Sequence, residues 1–157
     1  MSGQAGASRE LYQSLLAEVA GLADHPRPVE AAVEVLARVP HYSWVGVYLL
    51  RGDQLVLGPW RGPAPTPHVR IPVGRGLCGS AAQTGRTEVV DDVDADARYL
   101  ACFPSTRSEI VVPIFGGRGL LGEIDVDSDA PAAFGEADQR FLTEVARWLA
   151  PSLEEAE

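Results

Sequence analysis

At 157 residues the chain has room for about one domain, at roughly 100 to 200 residues per domain, so an enzyme with a separate cofactor-binding half is not expected. Its hydrophobic share of 46% and charged share of 22% describe a globular chain able to bury a core without disulfide or metal staples. A net charge of -9 argues against nucleic acid, because phosphate neutralisation needs a basic face.

The elements follow in chain order. Leu11, Leu15, Leu16, Val19 and Leu22 recur at helical spacing behind Ser8, which is placed to cap the first turn. His25 to Pro28 break the chain, and Val29, Val33, Leu36 and Ala37 predict a second helix with Pro28 in its first turn and Pro40 beyond its end. Trp44 to Leu50 and Gln54 to Trp60 flank Arg51, Gly52 and Asp53 as a β-hairpin, followed by a Pro-rich loop from Gly62 to Pro67. A short strand is expected at Val69 to Val73, a small-residue helix at Leu77 to Gln83 and another strand at Thr87 to Val90. Asp91 to Arg107 form an acidic, irregular segment containing Cys102, long enough to be functional or mobile. Glu109 to Phe115 and Leu120 to Asp127 make a second hairpin. The last helix is expected from Glu136 to Leu149, with Phe141, Leu142, Val145, Trp148 and Leu149 as its apolar face. The pattern is that of an α+β layered domain, with both early helices on one face of an antiparallel sheet.

All thirteen basic residues are Arg, and neither Lys nor Asn occurs, which removes Schiff-base chemistry and a phosphate-loop lysine; a GC-rich gene explains both absences without selection. No apolar run approaches the roughly 18 residues of a membrane span. The start MSGQAGASRE lacks the features of a secretory signal. The expected location is the cytoplasm, with no membrane partner and with Cys78 and Cys102 as free thiols.

Gly74, Gly76 and Gly79 satisfy G-x-G-x-x-G after a strand, with Asp91 and Asp92 closing the next strand. The intervening helix has about two turns, whereas a dinucleotide-binding crossover needs roughly 30 residues and a parallel sheet. Glycine flexibility and an anion-binding helix start are the contents that survive. His41, His68, Cys78 and Cys102 are the candidate soft metal ligands, but no pair has the close spacing of recurrent zinc motifs. No G-x-S-x-G nucleophile elbow occurs.

Glu123, Asp125, Asp127 and Asp129 alternate along one strand, so their side chains share a face, with Ile124 and Val126 opposite. That face is either solvated or an acidic pocket for a cation such as a primary ammonium. Glu109 opens the neighbouring strand, while Trp44 and Tyr48 recur at an even offset on the first strand as core residues or ligand walls. Cys78, at a helix start, is either a thiol whose ionisation the helix dipole favours or a buried small hydrophobe.

The runs SWVGVYLL, LVLGP, RIPVGRGLCGSAA, SEIVVPI and GEIDVDS resemble the free methionine-R-sulfoxide reductases, a family of GAF-type domains, from about Ser43 to Ser128. The resemblance implies a single GAF-like domain over 1–157 with its core at about 28–150. It also implies a ligand pocket under loops, on the face of the sheet away from the terminal helices. It matches the family's helix-start cysteine to Cys78, its attacking loop cysteine to Cys102, and its acidic triad to Glu109, Asp125 and Asp127, with Trp44 and Tyr48 as the apolar wall for the S-methyl group. Two segments depart from the family: His68 stands ten residues before Cys78, where a third cysteine is common, and Phe103 and Pro104 follow Cys102. The implied activity is antioxidant reduction of free methionine-R-sulfoxide through a cysteine thiolate and a disulfide relay. It needs no bound cofactor, and a dithiol reductant of the thioredoxin type is the electron donor. A homodimer is compatible with the family. The competing readings are a non-catalytic GAF module that senses a small molecule and an interaction module with a degenerate pocket. A chain without an output domain, with its site residues retained, favours the enzyme.

Overall fold

A computed structural model describes residues 7–101 and 103–155. Helices α1 (Arg9–Ala20) and α2 (Pro28–Leu36) precede strands β1 (Trp44–Arg51), β2 (Gln54–Arg61) and β3 (Arg70–Pro72). Helix α3 (Gly76–Thr84), strand β4 (Glu88–Val90) and a 3-10 turn (Val93–Ala95) lead to β5 (Ser108–Gly116), β6 (Gly119–Ser128) and α4 (Glu136–Glu155). Ser8 caps α1 as expected, its Oγ accepting the Leu11 N–H at 3.1 Å. Pro28 occupies the first turn of α2, where its missing N–H costs no helical bond.

The six strands form one sheet in the order β3-β2-β1-β6-β5-β4, every pair antiparallel. Tyr12, Leu15 and Val19 of α1, Val33 and Leu36 of α2, and Leu142, Val145, Leu149 and Leu153 of α4 cover one face. They meet Val45, Val47, Ile110, Val112, Ile124 and Val126, each such burial contributing about 1.5–3 kcal/mol. The other face carries a smaller core, in which Tyr48, Leu55, Ile71 and Val111 pack under Leu77, Cys78 and Ala81 of α3. Strands β3 and β4 lie on opposite edges, so α3 crosses this second face, packing on β3, β5 and β6. This topology removes the dinucleotide alternative, which requires adjacent parallel strands. The glycines have local reasons instead. Gly74 and Gly76 have φ of 95° and 69°, and a Cβ on Gly79 would fall 2.6 Å from the Pro72 carbonyl oxygen.

Three expectations are corrected. Trp148 is 49% exposed, because at 100° per residue it falls roughly 100° from the middle of the stripe made by Val145, Leu149, Leu142 and Leu153. Helix α4 continues past Leu149 and through Pro151: Leu153 is buried and Glu154 accepts the Gly117 N–H at 3.0 Å, so tertiary contacts hold the last turn. Asp129 lies beyond the end of β6 and is exposed, so three acids of that run share the strand face rather than four.

Candidate active site

The period of two along β5 and β6 sends Glu109, Glu123, Asp125 and Asp127 to the α3 side of the sheet while Ile110, Ile124 and Val126 enter the main core. Register places Asp127 between Trp44 and Glu109, Asp125 between Gly46 and Val111, and Glu123 between Tyr48 and Pro113. The face is not solvated: Glu123 is 0% exposed, Asp127 1%, Asp125 2% and Glu109 5%. Both oxygens of Glu123, both of Asp127, and Asp125 Oδ1 have no hydrogen-bond partner among the described residues.

Burial costs a carboxylate its hydration, so the three strand acids resist ionisation. For Glu123 burial is the largest cause of a pKa well above the usual carboxylate range, with the Asp125 charge adding to it and the Cys78 thiol drawing it partly back. Asp127 is raised well above its ordinary value by burial and then by Asp125. Asp125 is raised by burial, against the opposing pull of Glu109, Cys78 and His68.

Cys78 faces this cluster from the first turn of α3. Its Sγ and one carboxylate oxygen each of Glu109 and Asp125 lie within 4.8 Å of one another. The thiol is buried, and burial followed by the charges of Asp125, Glu123, Glu109 and Asp127 pushes its pKa well above the ordinary thiol value. The helix dipole does not dominate here as the position alone predicts, because about half a charge at a helix end is opposed by desolvation and four acids.

A cavity of about 20 Å³, enough for about one water, lies among Tyr48, His68, Ile71, Leu77, Cys78, Leu100, Glu109 and Asp125. The Tyr48 hydroxyl donates to the His68 carbonyl at 2.7 Å. The half-buried His68 ring brings Nε2 to 3.0 Å from the Ala101 carbonyl oxygen, which ties the mouth of the cavity to the loop after β4. That loop is anchored further on: the Val93 N–H donates to Arg107 at 2.9 Å, and Arg98 bridges Glu88 and Asp96 at 3.0 and 2.8 Å.

Of the residues selected from sequence, Cys78, Tyr48, Glu109 and Asp125 line the cavity, and Asp127 lies beside it on the same strand face. Trp44 shares that face but stands apart from the cavity, stacked on Trp60 at 6.1 Å and tilted against Phe103 at 6.1 Å. Cys102 lies outside the described residues. His41 is removed from any metal set with Cys78, since it is buried on the helix side with Nε2 2.9 Å from Asp138 Oδ1. Ile71, Leu77 and Leu100, which line the cavity, had only hydrophobicity to mark them, whereas the parity of Glu123 with Asp125 already put it on the site face.

A model of the GAF domain family matches residues 26–153. The free methionine-R-sulfoxide reductase of Escherichia coli (strain K12) is 37% identical over 112 residues, spanning 71% of this chain and 67% of that protein. Among solved structures, the free methionine-R-sulfoxide reductase of Neisseria meningitidis in complex with its substrate superposes with a TM-score of 0.86 at 38% identity, over 94% of this chain and 92% of that one. The type II free methionine-R-sulfoxide reductase of Thermoplasma acidophilum gives 0.77 at 38% identity, over 92% and 96%. With its six-stranded antiparallel sheet, its crossing helix and these relatives, the chain belongs to the GAF domain family and, within it, to the free methionine-R-sulfoxide reductases.

Proposed function

We propose that this protein reduces free methionine-R-sulfoxide to methionine, with Cys102 as the attacking thiol, Cys78 as its disulfide partner, and a thioredoxin-type dithiol as the source of electrons. The observation that carries this reading is the buried set of carboxyl groups beside the Cys78 thiol. Relatives of this family supply the substrate.

The chemistry follows from the proton balance. A sulfoxide sulfur is electrophilic when its oxygen is protonated, and a carboxyl group that keeps its proton through burial supplies that proton near neutral pH. The Cys102 thiolate attacks sulfur, the hydroxyl passes to the cysteine sulfur as the S–O bond and the transient S–S bond break, and methionine leaves with Cys102 as a sulfenic acid and the donor as a carboxylate. That carboxylate then has a use. Cys78 holds its proton tightly, and the newly ionised acid beside it accepts that proton, freeing the thiolate. Cys78 displaces hydroxide from the sulfenic acid to form the disulfide, and the dithiol reopens the bridge.

The pocket supports a small substrate held on its polar and apolar ends. A carboxylate of the cluster pairs with the ammonium group, and Tyr48, Ile71 and Leu77 offer apolar surface to the methyl end. At about 20 Å³ the cavity is closed to an amino acid, so entry requires Leu100 and His68 to part, at the cost of the His68 to Ala101 contact.

The test mixes pure protein with the separated R and S epimers of methionine sulfoxide and a dithiol, then quantifies methionine. Turnover of the R epimer alone is expected. Absent turnover removes the enzyme reading in favour of a binding module, and equal turnover of the two epimers removes the R-specific assignment. Cys102→Ser abolishes turnover, and mass spectrometry after one equivalent of substrate finds a Cys78–Cys102 disulfide in the wild type. Oxidation of Cys78 with Cys102 untouched would reverse the two roles.

A further inference from the structure

We infer that the cavity beside α3 is a binding site for a divalent transition-metal ion of the zinc class, held by Cys78 Sγ and by carboxylate oxygens of Glu109 and Asp125, and exclusive with substrate. Its inhibitory consequence rests on the reductase reading, whereas the binding itself does not.

Three observations converge. The three donor atoms already lie within 4.8 Å of one another, and a zinc site with a Zn–S bond of about 2.3 Å and Zn–O bonds of about 2.0–2.2 Å needs a contraction of about 1 Å. The cavity they line holds about 20 Å³, which accommodates a single small ion and excludes an amino acid. Asp125 Oδ1, on a buried ligand, has no hydrogen-bond partner among the described residues, a costly arrangement that a cation relieves. Among the described residues lining the cavity, His68 is the one that can carry positive charge, and it sits half-buried at the mouth.

The charges balance. The thiol proton, with any held by Glu109 and Asp125, leaves to solvent, and one thiolate with two carboxylates surrounds the ion for a net charge of −1. A mixed sulfur and oxygen set suits zinc or cobalt over magnesium or calcium, which prefer oxygen alone. An ion seated there occupies Cys78 and the proton-donating acids together, so it blocks both halves of the proposed reaction and shields the thiol from oxidation.

The experiment titrates reduced protein with Co²⁺ without oxygen and reads the near-ultraviolet band of a cobalt–thiolate bond. The expected result is one ion per chain and a band that is lost in Cys78→Ser, retained in Cys102→Ser, and shifted to weaker binding in Asp125→Asn by on the order of tenfold or more. A second reading needs no variant: Zn²⁺ raises the wild-type Tm with concentration, as any ligand of the folded state does. No band and no Tm shift overturns the site, as does a band that survives Cys78→Ser or vanishes in Cys102→Ser. Turnover is measured alongside. Turnover without cobalt binding overturns this site and leaves the reductase reading intact, whereas cobalt binding without turnover upholds the site and removes the reductase reading.

Discussion

Asp125 and Asp127 sit two residues apart with Val126 pointing the other way, so each can lose its carboxyl group while the core beneath keeps its packing. Asp125→Asn and Asp127→Asn each keep the shape and remove the transferable proton, and each is expected to lower kcat/KM by about 10²- to 10⁴-fold at an unchanged far-ultraviolet spectrum. Full activity in both variants takes these acids out of the chemistry. Glu123 makes a separate, thermodynamic prediction. Its folded pKa lies well above the ~4.3 of an unfolded glutamate, so in the window between the two the folded chain holds a proton that the unfolded chain has lost. Stability from this group is therefore complete below the unfolded value and falls as pH rises through the window. Glu123→Gln is expected to flatten the decline of Tm between about pH 5 and 8, and thermal melts across that range check it. A slope identical to the wild type would mean that Glu123 ionises in the native state as it does in the unfolded chain.

At the scale of elements, Asp138 is the joint between the helices. Its Oδ1 accepts from Tyr12 of α1 at 2.6 Å and Tyr42 at 2.8 Å and meets His41 Nε2 at 2.9 Å, while Oδ2 accepts the Gly135 N–H at 2.9 Å and caps α4. Burial works against its ionisation, but His41, Tyr12, the Gly135 amide and Tyr42 prevail and hold its pKa below the ordinary value. The sign is opposite to that of Glu123. The stabilisation is present above the ~3.9 of an unfolded aspartate and is lost as pH falls through the lower folded value. Asp138→Ala is expected to cost about 2–4 kcal/mol, read as a denaturant midpoint shift, because it strands two buried phenols and an imidazole. A loss below about 0.5 kcal/mol would reduce this joint to a surface-like contact. The joint was illegible in the sequence, since its partners lie 96 to 126 positions away from Asp138 and no local pattern links them. The hairpins and the parity of the acids were legible, because a turn and a period of two are local properties. The exposure of Trp148 was not, for a side chain at the margin of an apolar stripe is buried or bare according to what packs beside it.

Across the whole molecule the sheet separates two cores of unequal strength. The helix side packs three helices on the strands, whereas the site side is covered by nine-residue α3 and the loop after β4 and flanked by the three-residue edge strands β3 and β4. Native-state hydrogen exchange is expected to show α3, β3 and β4 opening at lower free energy than β1, β5 and β6, with the site face yielding before the fold does. Uniform protection across the sheet would contradict this. The same division explains why the order of the strands escaped a reading by chain order: β3 and β4 are neighbours in sequence and the two opposite edges in space, a result of long-range pairing alone.

The alternation along β6 has a practical consequence for anyone who would change what the protein accepts. From Glu123 to Asp127, odd-numbered positions face the pocket and even-numbered positions face the main core, so a library confined to the odd set samples new chemistry without drawing on the packing that keeps the chain folded. Deleting or inserting one residue there exchanges the two sets and buries the acids among the helices. The strand tolerates substitution on one side, and it has almost no tolerance for a change in length.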